Sequence, residues 1–441
     1  MAVSFLPASE PRDFRILTLT TVLYRAEVPT DSQTEQTYRM ERWRAVSAGV
    51  LESAATTFLL LIAVRWFQGE ALAKALIASG GSLGLVLSPW VVSRVEKARW
   101  PVSKAAAWLA GLGAAAFAVM AAVPWLPVYV AGSVLALTAS SAAVPLLTQM
   151  YQENYPAQSR GRLFARTMII RIASAAAFSE LAGRALSGQL HSFRWLLVVF
   201  AAVSAFAAWC LASCPTSPLT LSGGTHPFRA LRYFRDDRLF RQTIIAWMFL
   251  GFAMLMMSPL RVEYLANPRY GVRINGELLT AANIALFTSV IPNIARLVLN
   301  PLWGRLFDRM NFFVLRITLN LGFAAGIVSF FVSGTVTGLT VGAILYGISN
   351  AGADVAWSLW VTKFAPPGRV ADYMSVHTFF TGVRAFIAPV VAFYLVSSVP
   401  LQTIGWISVA LIAIGSAFLA AEIKFGKTGQ AGGVLVEEVA E

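Results

Sequence analysis

A chain of 441 residues that is 57% hydrophobic and only 13% charged is not a water-soluble globule, since soluble domains carry about 25% charged residues. Mean hydropathy is +0.64, and the net charge of +13 fits basic loops at a membrane surface better than nucleic-acid binding. The apolar runs are long and unbroken, unlike the roughly 10-residue alternating strands of a membrane barrel, so the chain reads as an all-α integral membrane protein.

Residues 1–43 are polar and charged, with no short apolar core ending in a small-residue cleavage site, and read as a cytoplasmic tail rather than a signal peptide. Six spans of about the 20 residues needed to cross a bilayer follow, at 44–66, 71–92, 101–123, 126–151, 161–186 and 192–214. Cys210 and Cys214 close the sixth span one turn apart; without a His or Cys cluster nearby they make no metal site. The segment 215–241 is basic, with Arg229, Arg232, Arg235, Arg238 and Arg241 at a spacing of three, a face suited to anionic lipid headgroups. Six more spans are expected at 240–265, 278–300, 312–332, 337–362, 370–396 and 401–423, followed by a tail, 424–441. The domain plan is thus 1–43, a six-helix half 44–214, the loop 215–241, a second half 242–423, and the tail. With both termini on the cytoplasmic side, twenty-five of the 35 Lys and Arg residues fall inside and seven outside, which fixes the expected orientation.

An internal repeat marks the same halves. Leu85-Val-Leu-Ser-Pro89, ending span 2, returns as Leu297-Val-Leu-Asn-Pro301, ending span 8, and the same offset carries Glu96-Lys97 onto Asp308-Arg309. Paired six-helix halves are a transporter architecture. The pairs Gly80/Gly84, Gly322/Gly326 and Gly338/Gly342 are expected to serve helix packing rather than dimerisation, so a monomer is expected.

At this loop the chain resembles the major facilitator superfamily, whose signature after helices 2 and 8 is Gly-x-x-x-Asp-(Arg/Lys)-x-Gly-(Arg/Lys)-(Arg/Lys). The second copy reads Gly304-Arg-Leu-Phe-Asp308-Arg309 before departing at Met310; in the first, Val92 replaces the glycine and Glu96-Lys97 remain. Arg160-Gly-Arg162 and Pro366-Pro-Gly-Arg369 are similar to the family's loops opening helices 5 and 11. The resemblance implies a twelve-helix, two-half fold, with Gly304, Asp308, Arg309 and Glu96 gating the cytoplasmic seam and Arg305 as a further partner of Asp308.

Ionisable residues in hydrocarbon cost at least about 2.5–3.5 kcal/mol and are functional suspects. The mid-span set is Glu52, Arg171, Glu180, Arg296, Asp354, His377 and Arg384, and all seven fall on helices that line the central cavity in the family fold. Glu52 and Arg171 both approach mid-membrane depth, and if they pair inside the first half Arg384 is left without an acid. Tyr373, His377, Thr381 and Arg384 form one stripe of span 11; Tyr346, Asn350, Asp354 and Trp357 form one of span 10. Glu180 and Arg184 read as an i, i+4 ion pair. Arg296 either snorkels or pairs with Asp354 or Asp308 as an inner gate.

The function expected is a secondary transporter of a small solute by alternating access. No P-loop is present, so protons, taken up by Glu52, Asp354 or His377, are the expected coupling ion. The solute- or proton-handling set is Glu52, Arg171, Asn350, Asp354, Trp357, His377 and Arg384. Arg384 lacks an obvious acid, which suggests an anionic or carboxylate-bearing solute, with Glu180 as the rival partner. An efflux antiporter is the alternative, although span 5 lacks the proline of that subclass's motif. A sensor or assembly factor without flux is the other. No nucleophile–His–acid set or metal cluster suggests an enzyme, and no cofactor or nucleic acid is expected. The arginine-rich composition suggests a bacterial inner membrane.

Overall fold

The computed structural model describes residues 32–218, 231–363, 365 and 370–423. Residues 1–31 and 424–441, Arg229 and the Pro366–Arg369 turn lie outside the described residues, and so does the Asp308 side chain. Among the described residues there are twelve long helices. In the first half these are α1 (Ser32–Arg65), α2 (Ala71–Lys97), α3 (Val102–Ala122), α4 (Leu126–Asn154), α5 (Ala157–Gly188) and α6 (Phe193–Ala212). The second half holds α7 (Arg238–Ala266), α8 (Ala281–Ala285, the π-turn Leu286–Val290 and Ile291–Arg309), α9 (Phe312–Val332), α10 (Val336–Leu359), α11 (Val370–Leu395) and α12 (Leu401–Ala420). Eleven are long and apolar enough to cross a membrane; α5 carries five arginines and Glu180. The chain is a multi-pass membrane protein. Its one hairpin, Arg273–Ile274 against Glu277–Leu278, turns on Asn275-Gly276, both at positive φ, as a two-residue turn requires.

The repeat survives as geometry. Pro89 and Pro301 both lie inside helices, and those helices end on Lys97 and Arg309, residues related by the sequence offset.

The helix starts differ most at the first. Helix α1 begins at Ser32, three turns before the expected residue 44. Its polar early turns are buried because they have partners. Glu41 is fully buried, with Arg44 at 2.6 Å and the Tyr151 hydroxyl donating to it at 2.6 Å. Thr34 and Gln33 bond Asn154 at the end of α4. Hydropathy alone cannot register such pairing.

Small residues let the helices touch. The Gly80/Gly84 face packs on α4, where the Thr138 hydroxyl donates to the Gly80 carbonyl at 2.9 Å. Gly49 brings α1 against α5 so closely that a Cβ there would overlap the Arg171 carbonyl and crowd Ser174 and Ala175. Overpacking costs about 1–3 kcal/mol. Gly49→Ala is therefore expected to lower the thermal midpoint of the detergent-purified protein; an unchanged midpoint would refute that close approach.

Tryptophan is distributed unevenly. All eight in the first half are exposed, among them Trp43, Trp90 and Trp108 toward one face and Trp66, Trp125 and Trp195 toward the other. In the second half only Trp406 is comparably exposed; Trp247, Trp303 and Trp360 are buried and Trp357 is half-buried.

Candidate solute and gating site

Helix α1 carries Glu52 one residue before Ser53, where the α-helix gives way to a π-turn, Ala54–Phe58. Helix α8 has the matching irregularity at Leu286–Val290, and Arg296 follows it. Such π-turns recur at functional sites. Here the two turns meet, with the Thr57 and Thr288 hydroxyls 3.0 Å apart.

On the terminus side of that contact four charged groups form a chain across the two halves. Arg171 Nε of α5 donates to Glu52 Oε2 at 2.6 Å. Arg296 Nη1 of α8 donates to Glu52 Oε1 at 2.6 Å and to Asn293 Oδ1 at 2.8 Å. Arg296 also donates to Asp354 Oδ2 of α10, from Nη2 at 2.7 Å and from Nε at 3.1 Å. Two carboxylates and two guanidinium groups sum to zero, which is how charge tolerates the bilayer interior. The Arg296 side chain is 7% exposed, but Arg171 is 41% and Asp354 30% exposed. Arg296 does not snorkel: α8 runs on to Arg309, so residue 296 sits well inside the helix.

The face away from the termini is closed by bonds between the halves. Lys74 Nζ of α2 donates to Glu263 Oε1 of α7 at 2.8 Å, both side chains buried. Asn267 donates to the same oxygen at 2.8 Å, and Arg269 lies 3.3 Å from it. Arg65 donates to the Leu279 carbonyl at 3.0 Å, and the Ser179 and Ser289 hydroxyls are 2.7 Å apart. Among the described residues no ion pair joins the halves between the four-charge chain and the terminus-bearing face. Within the chain of charges, solvent reaches the Arg171 and Asp354 side chains, at 41% and 30% exposure.

The stripe on α11 has a different neighbour from the one expected. Tyr373 donates to Asp237 Oδ2 at the start of α7 at 2.9 Å. His377 packs edge-on against Trp247 and Trp360 and beside Trp357, with ring centres 5.1–5.6 Å apart. Arg384 donates to the Trp247 carbonyl at 2.5 Å and to the Thr381 hydroxyl at 3.2 Å. This face packs on α7 and α10, away from Glu52 and Arg171. Glu180 does not reach Arg384; it holds Arg184 at 2.5 Å on the exterior.

Asp354 joins the charge chain and Trp357 the His377 group, whereas half-buried Asn350 hydrogen-bonds to neither. Glu96 and Arg309 make no ion pair among the described residues, and a Cβ on Gly304 would meet open space. Several buried charges besides Glu41 escaped the sequence reading. Lys74, Arg261 and Glu263 lie near helix ends, where depth counting discards them, and Arg316, near the start of span 312–332, is 2% exposed inside α9.

No family model matches the sequence, and no curated protein matches it. Solved structures do. A nucleoside transporter, NupG, superposes with a TM-score of 0.70 at 16% identity, over 88% of this chain and 99% of that one. The human organic anion transporter MFSD10 gives 0.63 at 14%, over 89% and 100%. The inward-open xylose transporter XylE from E. coli gives 0.61 at 17%, over 92% and 98%. The fold is that of the major facilitator superfamily. Within that superfamily fold the charge chain lies where α1, α5, α8 and α10 converge between the halves.

Proposed function

We propose that the protein is a secondary transporter that moves a small anionic or carboxylate-bearing solute together with a proton by alternating access. One observation carries the reading: guanidinium groups from both halves, Arg171 and Arg296, hold a single carboxylate, Glu52, while Arg296 also holds Asp354. A solute carboxylate is chemically equivalent to what these guanidinium groups already bind, and bidentate geometry favours it. A proton taken from water by Glu52 or Asp354 neutralises that acid and releases a guanidinium edge for the solute. Anion and proton then cross together as the halves rock, and the proton leaves to water on the far side with the solute. The gradients decide uptake or export. The superfamily fold serves nucleoside, organic-anion and sugar transporters alike, so the charged centre, not the likeness, supports the solute class.

In this reading the terminus-bearing face is cytoplasmic, in a bacterial inner membrane, with Asp308, Arg309, Gly304 and Glu96 at its seam. The exposed Arg232, Arg235 and Arg238 meet anionic headgroups, and the protein works as a monomer.

Reconstituted vesicles test this. A pH gradient should drive uptake of one member of a panel of anionic, zwitterionic and cationic solutes, and only anions should compete for it. Glu52→Gln should lose accumulation driven by the pH gradient yet retain exchange of solute across the membrane. Accumulation equal to wild type by both Glu52→Gln and Asp354→Asn, or competition by cations alone, would overturn the proposal. Binding without flux would make the protein a sensor instead.

A further inference from the structure

Away from the charge chain, and inside the second half alone, three side chains capable of positive charge gather round one indole. The Arg316 guanidinium of α9 lies over the Trp247 ring, 4.3 Å from its centre, and the Arg384 guanidinium of α11 lies 5.6 Å from the same centre. The His377 ring is 5.2 Å from it. All three are buried, at 2%, 4% and 1% exposure.

Their hydrogen-bonding atoms are mostly unused. Arg316 Nε and Nη1, Arg384 Nε, both ring nitrogens of His377, and Trp247 Nε1 are buried without a hydrogen-bond partner. Among the described residues neither arginine forms an ion pair. Two acids of the second half whose bonds are described are engaged elsewhere, Asp237 with Tyr373 and the Phe240 amide, and Asp354 with Arg296. Stacking on an indole is favourable for a cation but supplies no negative charge and no acceptor. Buried polar groups are satisfied as a rule, and a buried cation without a counter-charge costs several kcal/mol. The place is also built for its charge: a Cβ on Gly251 of α7 would overlap the Arg384 guanidinium, so the glycine makes room for it.

We propose that this cluster binds a small monovalent inorganic anion of halide size, resident in the second half and separate from the transported solute. One anion accepts from Arg316, Arg384, His377 and the Trp247 indole together, which answers the surplus of donors and the surplus of positive charge at once. Tight aromatic walls select a small, weakly hydrated ion over sulfate or phosphate. The bound anion ties α7, α9 and α11 into one rigid body. The inference stands independently of the transport reading, because no residue of the charge chain belongs to it.

The test uses the purified full-length protein in detergent, titrated with sodium chloride or bromide replacing sodium gluconate at constant ionic strength. The thermal midpoint should rise saturably with either halide. Arg316→Gln and Arg384→Gln should each raise the half-saturating concentration tenfold or more, while Glu52→Gln should leave the response intact. Crystals grown in bromide should show an anomalous peak within hydrogen-bond reach of both guanidinium groups, a measurement on the unaltered protein that stands if the variants fail to fold. A wild-type midpoint indifferent to halide, an equal response in the arginine variants, or bromide absent from the cluster would overturn the proposal.

Discussion

Glu263→Gln should unseal the face of the protein that lies away from its termini. The substitution leaves the Lys74 ammonium buried at 7% exposure, with the Phe393 ring 5.4 Å away and no carboxylate. Removing one partner of a buried pair costs about 3–5 kcal/mol. The closed arrangement is the one that buries Lys74, so the cost falls on that state and the equilibrium moves toward opening at this face. A cysteine replacing Thr57, whose hydroxyl faces Thr288 behind the seal, reports the change. Labelling by a membrane-impermeant thiol reagent from that side should rise at least tenfold. The native thiols give little background, since both are buried. The double variant Lys74→Met, Glu263→Met should restore the slow rate, because apolar replacements of a buried pair are tolerated. An unchanged rate in Glu263→Gln would show that Arg65 and the serine pair close the face without the ion pair.

Arg296→Met is expected to abolish transport and to destabilise the protein. It deprives Glu52 of one guanidinium and removes both hydrogen bonds from Arg296 to Asp354. The expected loss lies at the lower end of about 3–5 kcal/mol, because Asp354 is 30% exposed and water offsets part of it. Adding Asp354→Asn should recover much of the thermal midpoint and none of the flux. That split distinguishes a working charge from a structural one. Transport at the wild-type rate in Arg296→Met would remove Arg296 from the mechanism.

The architecture was legible because a bilayer imposes a length on apolar runs that no local propensity can disguise. The proline repeat was legible because both copies lie eight residues before the ends of equivalent helices. The shared depth of Glu52 and Arg171 was readable from helix rise, but not that they bond. Pairing across the halves was harder. Arg296 had three possible fates in the sequence, and only the meeting of α1, α8 and α10 selects Glu52 and Asp354. Lys74 and Glu263 are separated by 189 residues, and each near a helix end looks like an interfacial charge. The α11 stripe shows the limit from the other side: its periodicity was real, but periodicity names a face and not the neighbour it meets. Glu41 and Arg316 were missed because their polarity placed them in water, where burial with partners, or beside an indole, was invisible.

The lopsided tryptophans bear on how such a molecule moves. Indoles favour the headgroup layer at both bilayer surfaces, and eight of them moor the first half there while the second half has Trp406. Tilting the first half would drag aromatic side chains off both interfaces; tilting the second disturbs far fewer. On the alternating-access reading proposed above, the bilayer makes the first half the stator and the second the rotor, an asymmetry that the repeated prolines and helix ends do not suggest.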